Sequence, residues 1–185
     1  MQGSGTLAVI LSKLIDKINK EEGRGIVSLL VEILPVVLGA GAIRSLRPPE
    51  GASWQVAFPS GADPAPVVAA ALSSRGLRPV VVHSTSWRHE DGRLVLTYIA
   101  VLAAEPPAAT ELVARPLAPG APARGGATTP PASLHVDQVL HHALRHLAWL
   151  QREDPAVAAE LDEAWAAALA GHAPAPFHAL LAATA

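Results

Sequence analysis

The chain has 185 residues, half of them apolar, which is material for one domain with a core of ordinary size and an appendage. A formal net charge of −2 gives no electrostatic reason to expect nucleic acid as a partner. The absence of cysteine excludes disulfides, thiol chemistry and cysteine-bearing zinc sites, and it fits a reducing, cytoplasmic compartment.

Composition changes near residue 43. The lysines (Lys13, Lys17, Lys20) and Asn19 lie in the first 20 positions, and only Ile99 among the isoleucines follows Ile43. Beyond that point every basic residue is Arg, and Ala and Pro dominate, a habit associated with GC-rich bacterial genomes. The change divides an N-terminal module, 1–43, from the remainder, and a fused or misassigned start would leave the same mark.

Thr6 to Lys20 has helical periodicity, with Leu7, Leu11, Leu14 and Ile18 on one stripe and Lys13, Asp16, Lys17 and Lys20 opposite. Gly23 and Gly25 break it. Ile26 to Ala42 is apolar almost all round and reads as a second helix, closing an apolar helical hairpin that packs on the rest of the chain or on a second copy. Two alternatives stay open. Membrane contact through residues 6–42 is disfavoured by Glu32 and Pro35, and 17 residues are short for a span. Export is suggested by Ala40-Gly41-Ala42, which has the small-x-small form of a cleavage site. Glu32 needs shielding in any of these settings, with Ser28 or a lysine as candidate partners.

Residues 44–52, with Pro48-Pro49, read as a linker. Trp54 to Phe58 is a short strand. Asp63-Pro64 starts a helix, since Asp is a favoured cap and Pro a favoured first residue, and Gly76 stops it. Val80–His89 and Leu94–Ala103 form a β-hairpin around Asp91-Gly92, a type I′ pair. A two-residue turn predicts the pairs Glu90–Arg93, Trp87–Leu96, Thr85–Tyr98 and His83–Ala100. Strict alternation then puts Val81, His83, Thr85, Trp87, Leu96, Tyr98 and Leu102 on one face. Arg88 falls on the other, beside Val95 and Thr97. Both faces are apolar at the base, so each needs a cover, and the Asp63 helix suits one.

Thr110 to Leu117 reads as a further strand, and 117–131 as a Pro/Gly-rich linker. Leu134 to Arg152 is an amphipathic helix. Asp154-Pro155 opens another that runs to about Ala170, making an antiparallel pair over 132–172, with an irregular tail over 173–185. The fold class is therefore α+β: a small antiparallel sheet built on a hairpin with a covering helix (44–116), the C-terminal helix pair and the N-terminal apolar hairpin.

Histidine supplies the candidate chemistry. His83, Thr85, Trp87 and Tyr98 would form a polar island in the sheet, able to orient a ligand or move a proton. His142 and His146, at i and i+4, can chelate one metal ion, but Ala143 replaces the Glu of the zinc-protease helix pattern. No nucleophile elbow, phosphate loop or dinucleotide fingerprint is present, and no cofactor is implied. The sequence reading favours a non-catalytic interaction or assembly module with a protein partner or a second copy. A pocket around His83 and Tyr98, and membrane association through residues 6–42, are the rivals.

Overall fold

The computed structural model describes residues 28–106, 111–123, 131 and 133–174. Six strands form one sheet: β1 (Ser28–Gly39), β2 (Ala42–Arg47), β3 (Trp54–Phe58), β4 (Pro79–Glu90), β5 (Arg93–Leu102) and β6 (Val113–Pro116). Four helices accompany it: α1 (Pro64–Ser74), α2 (Val136–Glu153), α3 (Pro155–Glu160) and α4 (Glu163–Leu169). The sheet order is β4-β5-β1-β2-β6, with β3 also paired to β1. All pairings are antiparallel except β1 with β5, which runs parallel from Ser28–Arg93 to Val36–Val101.

Residues 28–42 of the expected second N-terminal helix are instead β1 and its turn into β2, and residues 26–27 lie outside the described residues. β1 lies at the centre of the sheet, with β5 along one side and β3 and β2 sharing the other. Its odd residues Leu29, Val31, Ile33 and Val37 enter one core and its even residues Leu34 and Val36 another. A strand buried on both faces loses its period-2 signature and reads as a continuous apolar run. The β-branched Val31, Ile33, Val36 and Val37 suit the extended backbone. Ala40 and Gly41 then reverse the chain with φ of 50° and 76°, the positive pair that a type I′ turn requires.

This arrangement also moves the expected boundaries. The division at 43/44 falls inside β2, and the 44–52 linker shrinks to the turn between β2 and β3. The Thr6–Lys20 helix lies outside the described residues, as do 124–130 of the Pro/Gly-rich linker and the tail from 175. Among the described residues no helix is long and apolar enough to cross a membrane.

Each sheet face has its own cover. α1 begins as its Asp-Pro pair predicts, with the Asp63 carboxylate accepting from the Ala65 N–H at 3.0 Å. It lays Val68 and Leu72 over Leu29, Val31, Leu94, Leu96 and Tyr98. The opposite face meets α2, whose Val139, Leu140, Ala143, Leu144 and Leu147 pack on Leu34, Val36, Ile99 and Val101. The helix expected to run from Asp154 to Ala170 is two shorter ones. Leu161 is extended (φ −106°, ψ 104°), and Asp162 caps α4 by accepting from the Trp165 N–H at 3.0 Å. That break turns Leu161, Trp165 and Leu169 together into the α2 core.

Candidate functional site

The hairpin keeps its predicted tip. Asp91 and Gly92 have φ of 50° and 74°, and Glu90–Arg93 and Trp87–Leu96 pair as alternation requires. Between Ser84 and Ser86 the register slips by one residue at Thr85, after which Ser84 faces Tyr98 and His83 faces Ile99. A one-residue slip sends every later side chain to the other face. Val81 and His83 therefore join the α2 side, while Trp87 and Tyr98 stay with α1. The bulged Thr85 is fully buried, and its hydroxyl donates to the Thr97 carbonyl at 3.4 Å. The four residues expected to form one polar island are thus divided between two faces.

Each has a local setting. Burial pushes the Tyr98 phenol up to about 12, reinforced by the Asp63 charge and opposed by the Ser84 hydroxyl. Ser84 is near enough to favour the phenolate, although it does not meet strict hydrogen-bond geometry with the Tyr98 oxygen. His83 stacks on His146, with ring centroids 5.0 Å apart and planes 23° from parallel, and His146 stacks in turn on Trp149 at 5.6 Å. Burial holds His83 below the usual imidazole value, partly opposed by the Asp154 carboxylate. His142 is half-buried one turn away, whereas His146 is only 3% exposed. Among the described residues no group of three or more His, Asp or Glu side chains is arranged to hold a metal ion.

A different constellation lies on the α2 face, where the sheet carries charge. Glu32 of β1, Arg88 of β4 and Thr97 of β5 converge there, with Glu32 1% and Arg88 9% exposed. Arg88 donates from Nη1 to Glu32 Oε2 at 2.7 Å and from Nη2 to Glu32 Oε1 at 3.1 Å, a two-pronged pairing. Nη1 also reaches the Thr97 hydroxyl at 3.3 Å, and Nε donates to Glu90 Oε2 at 3.0 Å. The Thr97 hydroxyl donates to Glu32 Oε2 at 2.9 Å. Burial alone would lower the Arg88 pKa. The hydrogen bonding and charge of Glu32, helped by Glu90, outweigh it and raise the value above the ordinary one. Glu32 thus finds in Arg88 the shield that its apolar surroundings demand.

Above this network lies a cleft of about 370 Å³. It is lined by Glu32 and Arg88, by Glu50 to Ser53 with Gln55, and by Leu134, His135, Val136 and Val139 at the start of α2. Glu90 completes the lining. Two contacts fix the start of α2: Arg47 of β2 pairs with Asp137 in the first helical turn, and the Gln138 side chain accepts from the His135 N–H at 3.0 Å. Among the described lining residues, three carboxylates (Glu32, Glu50, Glu90) face one guanidinium. That guanidinium is already closed upon Glu32, Glu90 and Thr97, so the excess charge presented to a visitor is negative. Sequence reasoning missed the cleft. Its one legible signal was Glu32 itself, a carboxylate within an apolar run and therefore in need of a buried partner. No protein-family model matches this chain, and no curated protein matches it significantly.

Proposed function

We propose that the protein is a binding module for a small, hydrogen-bond-donating cation of the amine class, held in the cleft above Glu32 and Arg88. The observation that supports this most is the closed state of Arg88. With its guanidinium engaged by two carboxylates and a hydroxyl, an incoming anion would have to displace Glu32 from a buried pair. An ammonium group meets no such competition. Glu50 and Glu90 offer it charge, and Ser53, Gln55 and His135 offer further hydrogen-bonding groups. The volume suits a ligand of a few heavy atoms more readily than a polymer.

Isothermal titration of the full-length protein at low salt tests this, with 1,4-diaminobutane as the amine and succinate as the matched dianion. The amine should bind and succinate should not. Glu50→Gln, a change at an exposed residue, should weaken the amine roughly two- to fivefold, as one exposed charge contact is worth. Added salt should weaken it further. Succinate binding as tightly as the amine would refute the assignment.

The assembly reading is favoured by a separate observation. β4 is 12 residues long, has a strand neighbour on one side only among the described residues, and carries Val82 at 41% exposure. An unpaired edge of that length is a template for another strand. Size-exclusion chromatography with light scattering tests it, and a monomer at all concentrations would remove self-pairing. Of the segment 6–42 expected to self-associate, residues 29–37 carry their apolar side chains into the two cores of this sheet, and 6–27 lie outside the described residues.

A further inference from the structure

We propose that the ring stack of His83, His146 and Trp149 is an acid-released latch joining α2 to the edge of the sheet. Among the described residues the stack joins the two layers near β4: His83 comes from the strand, His146 and Trp149 from the helix. His83 lies two residues before the register slip at Thr85, on the side away from the hairpin tip, and the slip is what turns its ring toward α2 instead of α1. Without that extra residue the imidazole would lie on the far face and the latch would not exist.

On β5 the partner of His83 is the apolar Ile99, on α2 it meets His146, and at the α2–α3 junction stands Asp154. Asp154 favours protonation, but burial outweighs it, so His83 stays neutral at pH values where a free imidazole has begun to charge. Below that range a proton on His83 sits half-buried against a second imidazole 5.0 Å away. A second proton, on His146, would place two like charges in contact. Separation of α2 from the sheet relieves both costs by letting water in.

The sign follows from linkage. A histidine with a lowered native pKa binds fewer protons folded than unfolded, so stability is full above about pH 6.5 and declines as pH falls toward the native value. His172, also lowered, by burial and by His141, contributes in the same direction from another site. The two must be separated by variant.

The experiment is thermal unfolding of the full-length protein between pH 7.5 and 5.0. The wild type should lose roughly 3–10 °C in Tm, equivalent to one or two protons with lowered pKa in a chain of this size. His83→Phe keeps a stacking ring without the proton and should remove at least half of that loss, whereas His172→Gln should retain most of it. An unchanged pH slope in His83→Phe, or a slope abolished by His172→Gln, would overturn the latch. Should His83→Phe fail to fold, wild-type NMR decides. His83 must titrate below 6.5, and amide exchange corrected for intrinsic rate must accelerate at pH 5 in 139–150 before β1. Titration at or above 6.5, or uniform loosening of helix and sheet, would defeat the proposal.

Discussion

Arg88→Met is the most severe single change that the central network predicts. Glu32 is 1% exposed and accepts two hydrogen bonds from Arg88 and one from Thr97. Removing the guanidinium leaves a buried carboxylate with one hydroxyl for company, and breaking a buried pair from one side costs about 3–5 kcal/mol. A domain of this kind is stable by roughly 5–15 kcal/mol in total. Such a loss should lower Tm by roughly 6–20 °C, at the few degrees per kcal/mol usual for chains of 150–250 residues. Glu32→Met combined with Arg88→Met removes both charges, and such replacements are often neutral or stabilising by about 1–4 kcal/mol. The double variant should therefore be more stable than Arg88→Met alone. Urea unfolding followed by circular dichroism at pH 7 measures all three proteins. If Arg88→Met costs less than about 1 kcal/mol, or the double variant is no better than the single one, the network is not the buried lock described here.

Two further predictions concern the strand that holds Glu32. A fragment beginning at Leu46 lacks β1 and most of β2, so it should be insoluble or melt without a cooperative transition; a sharp thermal transition for that fragment would contradict the central place of β1. At the β1–β2 turn, Ala40 has φ of 50°, which costs an L-residue about 1–2 kcal/mol. Ala40→Asn should raise stability by roughly 0.5–1 kcal/mol in urea unfolding, and a loss would argue against the type I′ turn.

Signals carried by a few adjacent residues were legible in the chain. Asp63-Pro64 opened a helix, Asp91-Gly92 turned a hairpin, and Trp54–Phe58 formed a strand, because each depends on local backbone chemistry. Alternation also placed Arg88 on the same face as Thr97. What failed was whatever the third dimension decides. Residues 28–39 are apolar on both sides because sheet neighbours flank them and helices cover both faces, and such a run cannot be told from a buried helix by period. The bulge at Thr85 left no mark in a run of Ser, Thr and Ser, yet it separated His83 from Tyr98. Asp162 lies inside the stretch expected to be one continuous helix, yet its carboxylate caps a new helix and breaks the expected one. The cleft draws on four separate stretches of chain, and Glu32 meets Arg88 across 56 positions. A partner was required by physics, but its identity was set by the fold.

Amide chemical-shift mapping of the full-length protein with 1,4-diaminobutane tests the binding assignment most directly. Saturating shifts should gather at Ser53, Gln55, Glu90, His135 and Val136 around the cleft, and should shrink in Glu50→Gln. Shifts that centre on the His83 side of α2 or on the outer edge of β4, or no saturable shift at all, would contradict it.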